Sequence, residues 1–139
     1  MSKEEIVERW LKRALTDLRV AKELLEMGEE PWVIAFHAQQ AVEKALKAYL
    51  ILKNKHFGKI HNIARLIDLC TEVDKDFKQL HSNSIDTLYP LAIEARYPDT
   101  ETEVARDEAE EAVRKAEQAL KFVLNKMGYP HNSQTIHRT

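Results

Sequence analysis

From residue 3 to residue 27 the apolar positions fall at Ile6, Trp10, Leu11, Ala14, Leu18, Ala21 and Leu25. Steps of three and four residues put these side chains on one stripe of a long helix. Gly28 suits the left-handed cap that closes such a helix, and Pro31 suits the first turn of the next, where its missing N–H costs nothing. That second helix is expected to run to about Asn54. Ala35, Ala38, Ala41, Val42, Ala45, Leu46 and Tyr49 fill one broad arc of it, and His37, Gln39, Gln40, Glu43, Lys44 and Lys47 fill most of the other. Trp32, Val33, Phe36, Leu50 and Ile51 project onto the polar side at the two ends. The polar centre is therefore framed by apolar groups, a pattern that suits a dimer seam or a ligand wall as well as a solvated face.

After the loop "KNKHFGK", a third helix is expected from about His61 to Val73, with Ile63, Leu66, Ile67 and Cys70 inward. A fourth should begin near Asp76 and carry Phe77, Leu80, Ser84 and Leu88 inward. Pro90 should interrupt it, because a proline inside a helix loses a hydrogen bond and clashes with the preceding turn. "YPLAIEARYPDT" then reads as a kinked continuation or an irregular connector, and Pro98 stops whatever precedes it. Thr100 and Glu103 have the spacing of a capping box for a last helix. Its alanines at 105, 109, 112, 116 and 119, followed by Val123 and Met127, form a seam that admits close approach by another helix. The expectation is an all-α, up-and-down antiparallel bundle of about five helices over residues 1–128, followed by a polar tail over 129–139.

Composition narrows this picture without changing it. The 139 residues are 44% hydrophobic and 32% charged, with three glycines and four prolines, which suits one globular domain built from long helices. A formal charge of -2 argues against a chain that coats nucleic acid electrostatically. Cys70 is the one cysteine, so no disulfide framework or cysteine-rich metal site is expected, and a buried role suits it better than a reactive one. With no apolar leader and no run long enough to span a bilayer, the chain reads as cytoplasmic, without a membrane partner.

The candidate chemistry is sparse. His61 suits a helix-start position bonding to backbone or a neighbour, and no helical pair of histidines exists to complete a zinc site. Arg96 offers the planar fork that clamps a phosphate or carboxylate, with Tyr97 beside it for stacking or a hydrogen bond. A salt bridge pinning the connector is the equal alternative. There is no glycine-rich phosphate loop, nucleophile elbow or pair of catalytic carboxylates, so no metal or cofactor is expected.

Three stretches taken together carry a resemblance. "FHAQQAVEKALKAYL", then "HNIARLIDL", then "ARYPD" ahead of a long final helix resemble the HEPN domain family over roughly residues 5–127. The resemblance implies a helical bundle, commonly homodimeric, that binds a nucleotide, works with a small nucleotidyltransferase partner in a two-component, toxin–antitoxin-like system, or both. Arg96, Tyr97, Lys44, His37 and His61 are the residues it suggests for a nucleotide. It also implies an alternative, since a branch of the family comprises metal-independent endoribonuclease toxins with an arginine followed, after four to six residues, by a histidine. Here Arg96 is followed by "YPDTETE", and no other arginine has a histidine at that offset. The departure favours a non-enzymatic module over a ribonuclease; a purely structural adaptor is the third reading.

Overall fold

The structure, a computed structural model, describes residues 1–99, 101 and 103–129. Among these, six helices follow one another: α1 (Lys3–Met27), α2 (Pro31–Leu52), α3 (Ile63–Val73), α4 (Lys78–Ser82), α5 (Leu88–Ala95) and α6 (Arg106–Met127). Short 3-10 turns at Lys75–Phe77 and Ile85–Thr87 lead into α4 and α5. The all-α antiparallel bundle expected from the periodicity is the fold, with the fourth expected helix split in two.

Local chemistry sets the boundaries. Ser2 accepts from the Glu5 N–H at 3.2 Å and caps α1, and Gly28, at φ 72°, closes it in the left-handed conformation that favours glycine. Only residues 28–30 separate α1 from α2, so the two lie antiparallel, with Pro31 at the start of α2. α3 opens slightly later than expected. Asn62 caps it by accepting from the Arg65 N–H at 3.3 Å, which leaves His61 in the preceding loop.

The break expected at Pro90 falls earlier. Ser84, at φ 60°, ends the α4 stretch and is exposed, not inward as its spacing suggested. A fresh helix then starts at Leu88, which puts Pro90 in its first turn, where no intrahelical N–H is needed. The connector is thus a short helix that ends at Ala95. The expected cap at Thr100 lies outside the described residues, and α6 begins only at Arg106, beyond Glu103. Its start is held by Glu108, whose carboxylate accepts from the Ala105 N–H at 3.0 Å. The expected tail lies outside the described residues from 130 onward.

α2 is the central element and packs against α1, α3, α5 and α6. Its alanines at 35, 38, 41, 45 and 48 are buried, as are Ala109, Ala112, Ala116 and Ala119 of α6, so small side chains line both of these neighbours. Phe77 fills the space beyond, with ring centroids 4.5 Å from Tyr49 and 5.0 Å from Phe122. One continuous apolar cluster runs through all the long helices.

Candidate functional site

Because α2 has neighbours on so many sides, its polar arc does not form one surface. Gln39, Glu43 and Lys47 are 0%, 6% and 4% exposed, covered by the chain's own fold. Leu50, expected in the apolar frame of the window, is fully buried in the core. The framed window is therefore a correction to the sequence reading: part of it is interior, and the rest divides into distinct groups.

The first group centres on the buried Gln39, Glu43 and Lys47, with the exposed His61 at its edge. Lys47 donates to Glu43 Oε2 at 2.9 Å, and His61 Nδ1 meets the same oxygen at 3.0 Å. Gln39 donates to Glu43 Oε1 at 2.9 Å, and Gln40 donates to Gln39 at 2.9 Å. The Lys47 ammonium also stands over the rings of Trp10 and Phe57, with centroids at 5.7 and 5.5 Å. Burial pushes the Glu43 carboxyl up, but the hydrogen bonds from His61, Lys47 and Gln39 outweigh it and hold the group below its usual range.

The second group lies between α1 and α2. Asp17 receives His37 Nδ1 on one oxygen at 3.0 Å and Lys44 Nζ on the other at 2.6 Å. Burial again raises this carboxyl, and the two hydrogen bonds with their charges lower it further than burial lifts it. An ionised Asp17 accepts from His37 Nδ1, so Nε2 is the ring nitrogen that Asp17 does not engage.

The third group is built on the end of α5. Arg96 donates to the Tyr97 hydroxyl at 2.7 Å, and its guanidinium lies over the rings of Tyr97 and Phe36, 5.0 and 5.5 Å from the centroids. It pairs with no carboxylate among the described residues, so the salt-bridge reading of Arg96 does not hold there. Arg96 and Tyr97 line a groove of about 570 Å³ with Trp32 and Pro98, and the carboxylates Glu30 and Glu103 line it too. Phe36 also meets His37 edge-on at 5.6 Å, which joins this group to the second.

The five residues singled out from the sequence thus separate. His37 and Lys44 converge on Asp17, Arg96 and Tyr97 adjoin them through Phe36, and His61 lies at the edge of the first group. Asp17, Glu43 and Trp10 carry as much of the geometry and were not singled out as site residues. Asp17 had a legible signal, since it sits three residues after Ala14 and four before Ala21, at the edge of a buried stripe. No set of three histidine, cysteine, aspartate or glutamate side chains suited to a metal ion occurs among the described residues. Nor is any described helix long and apolar enough to cross a membrane.

The profile of the HEPN domain family matches residues 7–127. The chain belongs to the HEPN domain family. A Methanocaldococcus jannaschii protein named "Putative toxin MJ1304" is 31% identical over 127 residues, which covers 82% of this chain and 83% of that one. Among solved structures, ST0689, an archaeal HEPN homologue, matches with a TM-score of 0.65 and 25% identity, covering 87% of this chain and 97% of its own. TT1696 from Thermus thermophilus matches with a TM-score of 0.65 and 29% identity, covering 86% and 97%. In this HEPN chain the arginine of "ARYPD" stands at the end of α5, beside the polar groups of α1 and α2.

Proposed function

We propose that this HEPN chain, a single bundle over residues 1–128, is a homodimeric, non-enzymatic module of a toxin–antitoxin-like pair in the cytoplasm. Its partner would be a small nucleotidyltransferase, and it would bind a nucleotide phosphate through Arg96. The observation that carries the reading is Arg96 itself: a guanidinium backed by two aromatic rings, with no carboxylate partner among the described residues. Such a fork meets phosphate oxygens in pairs. The HEPN membership and the relative named as a toxin support the two-component setting. His37 and Lys44 would be polar neighbours, tied to Asp17 until a stronger anion arrives, with Tyr97 as a stacking surface. His61, an exposed side chain held to Glu43 of the first group, has the smallest part.

Calorimetric titration of the wild type with AMP, GMP and ATP tests this, alongside Arg96→Ala. Loss of a charged hydrogen-bonding group should weaken binding about 10- to 100-fold. Equal binding by both proteins removes Arg96 from the site. Sedimentation at high concentration tests the dimer, and a strict monomer overturns that part.

A second reading, the metal-independent endoribonuclease, has one specific observation in its favour. His37, partly exposed and oriented through Nδ1 by Asp17, has the carboxylate–imidazole pairing of a general base. It would take the place of the histidine missing after Arg96. On this reading purified protein in excess chelator cleaves RNA, and His37→Ala abolishes cleavage. An intact substrate after prolonged incubation with wild type rejects it.

A further inference from the structure

We infer that a groove on the α1 side of the bundle, around Trp10, is a second binding site and takes a nucleoside phosphate. Its ligand class rests on the nucleotide-binding reading above; its location and residues do not. The groove measures about 290 Å³ and is lined by Ile6, Arg9, Trp10, Arg13 and Lys44, with Met1 at its edge. Ligand pockets commonly hold about 300–1,000 Å³, so this one suits a single nucleotide unit better than a length of strand.

Three cations surround one indole here, and two of them have no carboxylate of their own among the described residues. Arg9 and Arg13 are exposed and lie one turn apart on α1, where the natural partners would be carboxylates four residues away. For Arg13 that partner is Asp17, but both Asp17 oxygens are taken by His37 and Lys44 from α2. For Arg9 it is Glu5, which receives the Ser2 hydroxyl. Neither arginine forms an ion pair among the described residues. Lys44 completes the set from across the groove.

The floor is apolar where the rim is cationic. Trp10 is half-buried, fixed from within by the Lys47 ammonium over its ring. An aromatic ring that is held in place and edged by guanidinium groups is a stacking surface for a base, with the phosphate within reach of two planar forks. A carboxylate-bearing peptide would satisfy the charges but leave the indole without a flat partner. Because Lys44 belongs to the groove and to Asp17, a phosphate there competes with Asp17 for the same ammonium. Occupancy would leave Asp17 to His37 alone, so the groove is coupled to the polar group beside Arg96.

The two tryptophans allow a direct test. In a Trp32→Phe protein, only Trp10 reports tryptophan fluorescence. Saturable quenching by AMP is expected, at least tenfold weaker with adenosine or with ribose 5-phosphate, each of which supplies half of the recognition. Adding Arg9→Ala and Arg13→Ala, both at exposed positions, should weaken this quenching by AMP tenfold or more. A 5′-phosphorylated tetraribonucleotide that quenches where its 5′-hydroxyl counterpart does not would identify the end of an RNA strand as the source; AMP alone would identify a free nucleotide. Calorimetry on otherwise wild-type protein repeats the arginine comparison without the tryptophan change. AMP binding that survives the double arginine variant and is lost in Arg96→Ala overturns the groove while the Arg96 reading stands. Absence of binding in every protein overturns both.

Discussion

Lys47 sits in a nearly closed box whose walls are Trp10, Phe57 and the Glu43 carboxylate. Removing two charges from water is costly, and the pair offsets that cost only while both members and their hydrogen bonds are present. Lys47→Met should therefore destabilise the protein by about 3–5 kcal/mol, because it leaves Glu43 buried with only His61 and Gln39. Glu43→Gln combined with Lys47→Met should recover much of that loss. Urea unfolding of the single and double variants checks both expectations. The alternation of apolar and polar positions located Gln39, Glu43 and Lys47 on α2 but could not tell which would be covered. Trp10 and Phe57 come from other parts of the chain, and a helical wheel contains no information about them.

At the scale of elements, the region after α3 is made of pieces too short to stand alone, since α4 has only five residues. His81 braces them: its Nε2 meets Asp68 of α3 at 2.9 Å, and its Nδ1 meets Asp86 of the turn before α5 at 3.2 Å. Burial lowers the His81 pKa, but the two carboxylates outweigh it and raise it above the ordinary 6.5. A raised histidine contributes stability in full below the unfolded value, and that contribution is lost as pH rises through the folded value. The pairs are partly exposed, so the whole effect should be about 1 kcal/mol or less. Thermal midpoints measured from pH 6 to pH 9 should fall about 1–4 °C further in the wild type than in His81→Asn. The long helices of this region's surroundings were legible from spacing and caps. The start of α6 was not, because an alanine cap held by Glu108 leaves no capping signature at Ala105, and Glu103 imitates one.

For the whole molecule, the all-α bundle follows from three long amphipathic segments and few breakers, so its class was readable directly. The placement of the site was less so, because it depends on α2 meeting four neighbours at once. One global consequence concerns acid. Asp17 and Glu43 are both held below their ordinary values in the folded state, so in the acid range the unfolded chain binds more protons than the folded one. Their stabilisation is present above about pH 4.5 and drains away as pH falls through the folded values. Unfolding free energy measured in urea between pH 3 and pH 7 should show this acid limb, shallower in Asp17→Asn. A flat profile in the wild type would contradict it.

Cys70 adds a different handle on the same interior. It is the chain's one thiol, fully buried on α3 against α2, where it points at the Leu46 carbonyl from 4.0 Å, and burial raises its pKa far above that of a free thiol. A thiol held neutral and out of reach cannot be modified where it lies. The pace at which a disulfide reagent consumes it, forming a mixed disulfide and releasing the reagent's other half as a thiolate that can be followed, is therefore a clock for the parting of α3 from α2.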